Sequence, residues 1–147
     1  MEIEIREACP ADIPEILKLY SQLDLGGSRK AGNDEAYEKF RIINSYPFYK
    51  IYVALLDGMI AGTYSLLIMD SFAHGCQSPA VIENVVTEVN LRGKGIGRKM
   101  MEHAMEICKN MGCFKIILSS NVKRDKAHDF YESLGFRKHG YGFLVEL

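Results

Sequence analysis

Arg92, Lys94, Arg98 and Lys99 are interleaved with Gly93, Gly95 and Gly97 in the stretch RGKGIGRK. An apolar run, AVIENVV, precedes it, and a segment with apolar residues at helical spacing follows, so the glycines open a helix. A helix N-terminus presents unpaired backbone N–H groups and about half a positive charge, a combination that holds anions. Four cations there face the positive pole at a cost of about 0.3 to 1 kcal/mol each, which a bound phosphate would offset. Any one of them alone is equally consistent with an exposed, salt-screened side chain.

Two phosphate motifs can be tested against the turn. A P-loop needs a glycine followed by Lys and then Ser or Thr, and no such triplet occurs here. A dinucleotide fingerprint needs G-x-G-x-x-G and a later acid, but Arg98 stands in place of the third glycine and the next strand ends in Ser119, Ser120 and Asn121.

A second anomaly lies just upstream, where Glu83 and Asn84 interrupt an apolar strand. Simple alternation puts Glu83 on the face of Val81, Val85 and Thr87, and Asn84 on the face of Ile82 and Val86; a bulge would change that parity. An ionised carboxylate turned inward must find hydrogen bonds or shift its pKa upward. The expectation is a carboxylate with a raised pKa, and one paired with loop backbone is the alternative.

Arg92, Gly95 and Gly97, as R-x-x-G-x-G between an apolar strand and a helix, resemble the acetyl-CoA-binding motif of the GNAT superfamily of N-acetyltransferases. GCFKIILSS at 112–120, followed by AHDFYESLGF at 127–136, resembles that superfamily's fifth strand, fourth helix and closing strand. The segments IENVV and GCFKIIL are similar to those of glucosamine-phosphate N-acetyltransferases. The resemblance covers the whole chain and implies one domain over 1–147. Its fold would be α+β / α/β, with a mixed central sheet of about six to seven strands flanked by about four helices.

It further implies acetyl-CoA as cofactor, without a metal. Arg92, Gly93, Lys94, Gly95, Ile96, Gly97 and Arg98 would hold the pyrophosphate, while Val85, Val86 and Thr87 would pair with the pantetheine arm as with an added strand. The acetyl group would pass directly to a primary amine in a ternary complex. Because an alkyl amine with a pKa of about 10 is mostly protonated at neutral pH, a base is required, and Glu83 is the candidate. Tyr131 resembles the tyrosine that protonates the departing thiolate, although packing beside Phe130 would also explain it. Where many members carry an asparagine this chain has Arg124, and Asn121 is the substitute for its cofactor contact. The acceptor would be a small-molecule amine or a peptide or protein amine, and a homodimer would be ordinary for the family. The alternative is a module of the same fold that binds acyl-CoA without chemistry.

Several elements must position these groups. Alternation at 2–7 predicts a strand, with Ile3 and Ile5 inward. Ile13, Ile16, Leu17, Tyr20 and Leu23 mark a first helix, started by Asp12 and Glu15 as an acidic capping box. The 26–32 loop, GGSRKAG, leads to a second helix capped by Asn33, with Ala36, Phe40 and Ile43 inward, and ended by Pro47. Arg29 and Lys30 could meet an anionic acceptor or simply be solvated. Runs at 49–56 and 59–69 flank Asp57-Gly58, a hairpin turn dipeptide. The 70–79 loop is expected to overhang the acceptor site and to bring His74 near it. Ile96, Met100, Ala104, Ile107 or Cys108, and Met111 line a helix of about four turns capped by Gly112. A buried strand at 113–119, a helix at 123–134 with Ala127, Phe130, Tyr131 and Leu134 inward, and a last pair of strands at 136–139 and 141–146 complete the expectation.

The 147 residues, 48% of them hydrophobic and 25% charged, suit a single globular domain. A net charge of −1 supplies no bulk attraction for nucleic acid or anionic membranes. No apolar run is long enough for a membrane span and 1–7 lacks a signal pattern, so a cytoplasmic location is expected. Cys9, Cys76, Cys108 and Cys113 show neither zinc nor disulfide spacing, and Cys108 reads as core filler.

Overall fold

The structure is a computed structural model that describes residues 1–23 and 29–147. Residues 26–28 of the glycine-rich loop therefore lie outside the described residues. The chain divides into two compact units, Met1–Ile117 and Leu118–Leu147.

The first unit runs β1 (Ile3–Glu7), a 3-10 turn (Pro10–Asp12), α1 (Ile13–Tyr20), α2 (Asn33–Ile43), β2 (Tyr49–Leu56) and β3 (Met59–Ile68). A short turn α3 (Ala73–Cys76), β4 (Pro79–Thr87), α4 (Ile96–Asn110) and β5 (Lys115–Ile117) follow. The strands pair in the order β1-β2-β3-β4-β5, antiparallel except for the parallel β4–β5 pair. A parallel neighbour demands a crossover, and α4 is that crossover.

Successive residues of β3 point to opposite faces, and each face is covered by a different helix. A Cβ on Gly62 would lie 3.2 Å from Ile96 and Met100 of α4, and Tyr64 bonds His103 of α4 at 2.8 Å. Ser65, one residue on, lies beside Tyr20 of α1. The core between these layers consists of Val53, Ala54, Leu66, Ile82, Ile96, Met100, Met101 and Ala104, all buried. Cys108 is buried with them, its thiol pushed up to about 12 by burial, which suits a core residue and not a nucleophile.

Local expectations hold where backbone geometry decides them. Asp57 and Gly58 have φ of 49° and 84°, the two positive values of the tight hairpin turn. Gly112 has φ 73° just past α4, and the Cys113 N–H reaches back to the Cys108 carbonyl at 2.9 Å.

Other expectations are corrected. Asp12 is the N-cap residue of α1, but its side chain makes no cap bond to that helix: the carboxylate takes both terminal guanidinium nitrogens of Arg6, at 2.7 and 3.0 Å, and the Cys9 N–H at 2.8 Å. Gly32, not Asn33, is the N-cap of α2. Leu19 is buried on α1 although it was not expected there, and Met111 is 54% exposed because α4 has already ended. The expected buried strand at 113–119 shrinks to three residues, of which Lys115 and Ile117 are exposed.

The second unit holds α5 (Asp125–Ser133), with Tyr131 packed edge-on between Phe130 and Phe136, ring centres 5.2 and 5.7 Å apart. The last pair of strands does not form. Residues 136–147 contain no strand, and Tyr141, Phe143, Leu144 and Val145 are 77 to 95% exposed. An alternating segment becomes a strand only when another edge supplies hydrogen-bond partners. The sheet among the described residues accordingly has five strands, not six to seven.

Candidate active site

The site in the first unit is built from a bulged strand and the turn that follows it. Thr63 pairs with Val86 and Ser65 with Glu83, so two steps on β3 oppose three on β4. The extra residue lies at Asn84–Val85, and Asn84 takes φ 53°, a left-handed conformation that asparagine tolerates better than most residues. This bulge overturns the simple alternation. Val86 joins the Glu83 face and Thr87, opposite Gly62, turns to the α4 face.

The bulge also changes the environment of Glu83, which is exposed. The apolar surroundings expected for it are therefore absent. Its backbone partner Ser65 is 2% exposed, and Tyr20 lies on the same face. Tyr49, two residues from the Ile51 that pairs with Ser65, shares the face. Burial, and secondarily the Glu83 charge, raise its phenol above the usual tyrosine range. Burial raises Tyr20 in the same way, with the Ser65 side chain opposing it. Glu83 is thus an open carboxylate bordered by protonated phenols. The sequence marks Tyr20 as an inward residue of the first helix but gives neither it, Tyr49 nor Ser65 a place at the site; the only signal is Ser65, a small polar residue inside an apolar run.

Past Val81, β4 has an open edge among the described residues. β5 pairs with it only over Pro79–Val81, and among the described residues no strand pairs with that edge from Ile82 to Thr87. The backbone of Val85, Val86 and Thr87 is in the geometry that an extended ligand could extend as a strand.

The turn comes next. Gly93 and Gly95 have φ of 79° and 87°, and the space where each Cβ would lie is open. Gly95 is the N-cap of α4 and no side chain caps the helix. The first intrahelical bond runs from the Lys99 N–H to the Gly95 carbonyl at 3.0 Å, so the amides of Ile96 and Gly97 precede the helical ladder. Ile96 is 1% exposed and anchors the turn to the core. Arg98 pairs with Glu102 at 3.8 Å, and Arg92 and Lys94 are exposed. Open glycine positions, uncapped amides and cations match what a pyrophosphate needs.

Asn121 and Tyr131 belong to the second unit. The Asn121 side chain accepts the Lys123 N–H at 2.9 Å, and its carbonyl takes the Arg124 N–H and His128 Nε2. Burial raises the Tyr131 phenol above its usual range, so it holds its proton at neutral pH. Of the loop residues, Arg29 is tied to Glu35 at 2.9 and 2.8 Å, and His74 packs on Phe114 with ring centres 4.4 Å apart. Among the described residues no cluster of three His, Cys, Asp or Glu side chains could hold a metal, and no helix is long and apolar enough to cross a membrane.

Comparison with known proteins gives the class to which this mixed sheet, with its bulged fourth strand feeding a glycine turn, belongs. The chain belongs to the Acetyltransferase (GNAT) family, whose model matches residues 13–136, and is an N-acetyltransferase of that family. It is similar to glucosamine 6-phosphate N-acetyltransferase of Trypanosoma brucei brucei, 31% identical over all of this chain and 97% of that protein. Among solved structures it is similar to a putative acetyltransferase from Agrobacterium tumefaciens str. C58, at TM-score 0.90 and 33% identity over 98% of this chain and 99% of that one. It is also similar to glucosamine-6-phosphate N-acetyltransferase from Arabidopsis thaliana, at TM-score 0.86 and 31% identity over 99% of both chains.

Proposed function

We propose that this chain transfers the acetyl group of acetyl-CoA to a small primary amine, with glucosamine 6-phosphate as the first acceptor to test. The observation that carries the reading is the edge of β4 over Ile82–Thr87, which no strand pairs with among the described residues, leading within a few residues into the Gly95 turn, where no side chain caps α4. Two of the most similar proteins bear the glucosamine 6-phosphate name, which supports that acceptor.

Acetyl-CoA supplies the activated acetyl thioester. The amides of Ile96 and Gly97, with the glycines Gly93 and Gly95 and the cations Arg92, Lys94 and Arg98, would hold its pyrophosphate. Val85, Val86 and Thr87 would bond its pantetheine arm through their backbone. Asn121 would add a polar contact. Glu83, open to solvent, takes the proton from the amine nitrogen directly or through a water molecule. Tyr131 would give its Oη proton to the leaving sulfur; a phenol is a weaker acid than a thiol of about 8.5, so it stays protonated at neutral pH and the transfer is drawn forward by loss of the thiolate as the acetyl group moves to the amine.

Residues 1–147 are read as one catalytic domain, because the family match runs through both units. The four free thiols suit a reducing cytoplasm. The exposed apolar residues at 141–147 suit burial against a second copy in a homodimer.

The test is release of coenzyme A thiol from acetyl-CoA with a panel of amines that includes glucosamine 6-phosphate. Amine-dependent release supports the reading. Binding of acetyl-CoA with no release for any amine would favour a sensing module instead.

A further inference from the structure

Gln22 lies one residue past the C-cap of α1, far in sequence from the cofactor turn, yet it is bonded to the strand end that leads into that turn. Its Nε2 donates to Glu88 Oε2 at 2.9 Å, and its Oε1 accepts the Val89 N–H at 2.9 Å. One amide thus satisfies an acceptor and a donor on adjacent residues, which fixes its orientation. Glu88 is itself a junction. Its N–H donates to the Ala61 carbonyl of β3 at 2.8 Å, its carbonyl accepts the Leu91 N–H at 2.8 Å, and its Oε1 accepts the Asn90 N–H at 3.4 Å. Arg92 and the glycine turn begin immediately afterwards.

The same end of α1 reaches the acceptor side. Tyr20, two residues before Gln22, lies beside Ser65, which stands opposite Glu83, and α1 packs against both β3 and β4. The amides of Ser21, Gln22 and Leu23 all bond back into the last turn of α1. The last residues of α1 therefore contact both the strand face that carries the proposed base and the entrance of the proposed cofactor turn.

We infer that Gln22 is a positioning residue that couples the two halves of the site: fixing the Arg92–Arg98 turn steadies Val89 and Glu88, and through Gln22 steadies the end of α1 beside Tyr20. This rests on the proposed acetyl-CoA site at the turn. The coupling has a chemical signature, because the donor and acceptor can be exchanged. In Gln22→Glu a carboxylate replaces the amide that donated to Glu88, so two acids face each other. In the double variant Gln22→Glu/Glu88→Gln the new carboxylate at position 22 accepts from the new amide at position 88 and from the Val89 N–H. The amide oxygen at 88 still accepts the Asn90 N–H, so every bond is restored and only the one between 22 and 88 is reversed in direction.

The experiment is amide hydrogen exchange on the full chain with and without acetyl-CoA. In the wild type, saturating acetyl-CoA is expected to slow exchange at 93–98 and, by about tenfold, at 21–23. In Gln22→Glu the slowing at 93–98 remains and that at 21–23 is lost, and the double variant regains it. If Gln22→Glu fails to fold, Gln22→Ala, which removes both bonds without adding charge, takes its place. Equal ligand-induced slowing at 21–23 in wild type and broken variant would overturn the inference while leaving the cofactor site intact, as would failure of the double variant to restore it. No slowing at 93–98 in the wild type would overturn the cofactor site and the inference with it.

Discussion

Asn84, in a left-handed conformation, decides which side chains of β4 stand together. Through it Glu83 lies open on the face of Tyr20, Tyr49 and Ser65, and its proposed work as a base needs no buried carboxylate. Glu83→Gln keeps the shape and removes the proton acceptor. Turnover is expected to fall about 10²- to 10⁴-fold while acetyl-CoA affinity stays within about twofold, as measured by steady-state rates and calorimetry. Tyr131→Phe is expected to show the same split. Because burial raises this phenol, the acid form persists throughout neutral pH, and loss of activity from its ionisation should appear only above pH 10. Full activity in either variant at neutral pH contradicts the role.

The Arg6–Asp12 pair is a second residue-scale device, purely structural. The Arg6 guanidinium, with the Cys9 N–H, holds the Asp12 carboxyl at about 2, below its ordinary 3.8. A lowered acid contributes stability that is complete above its unfolded pKa and is lost as pH falls through the folded value. Arg6 faces solvent in part, which screens the pair, so Asp12→Asn should cost about 1 to 2 kcal/mol at pH 7. In denaturant titrations the gap to the wild type should close between pH 3.8 and about 2. A gap that persists below that window would mean that packing, not charge, is lost.

At the scale of elements, the seating of α4 on the sheet sets the distance between the bulge and the turn. Gly62 permits this approach: a Cβ there would stand 3.1 Å from the Val86 carbonyl oxygen and 3.2 Å from Ile96 and Met100. The side chains could yield by a few tenths of an ångström, but the backbone carbonyl beside the bulge is less able to. Gly62→Ala should therefore lower stability by about 1 to 3 kcal/mol and raise the KM for acetyl-CoA, read by thermal melting and kinetics. An unchanged KM with lowered stability would separate the seating of α4 from cofactor binding. The sequence disclosed the parts whose reasons are local. The Asp57-Gly58 hairpin, the glycine turn and the Gly112 cap follow from backbone conformations that few residues adopt. The parity of β4 was not legible, since a bulge depends on the register of β3. Nor was Gln22, whose partners lie 66 and 67 residues away. The length of β5 and the state of 136–147 depend on neighbouring edges that no local pattern encodes.

At the scale of the whole molecule, the sheet and turn lie in one compact unit and Tyr131 in the other, while the family match spans both. The exposed Tyr141, Phe143, Leu144 and Val145 give the chain an apolar segment that a second copy would cover. In analytical ultracentrifugation the wild type should sediment as a dimer, and Phe143→Asp/Val145→Asp should shift it to monomer; a wild-type monomer would contradict that assembly. The central claim concerns the cofactor, and thermal melting with acetyl-CoA, ATP and NAD side by side tests it most directly. At a hundred times its dissociation constant a ligand adds about 2.7 kcal/mol of stability. A clear rise in Tm with acetyl-CoA, and little with the two nucleotides, is the predicted result. No rise with acetyl-CoA, or a larger one with ATP or NAD, would contradict the acetyl-CoA site at the Arg92–Arg98 turn and the mechanism built on it.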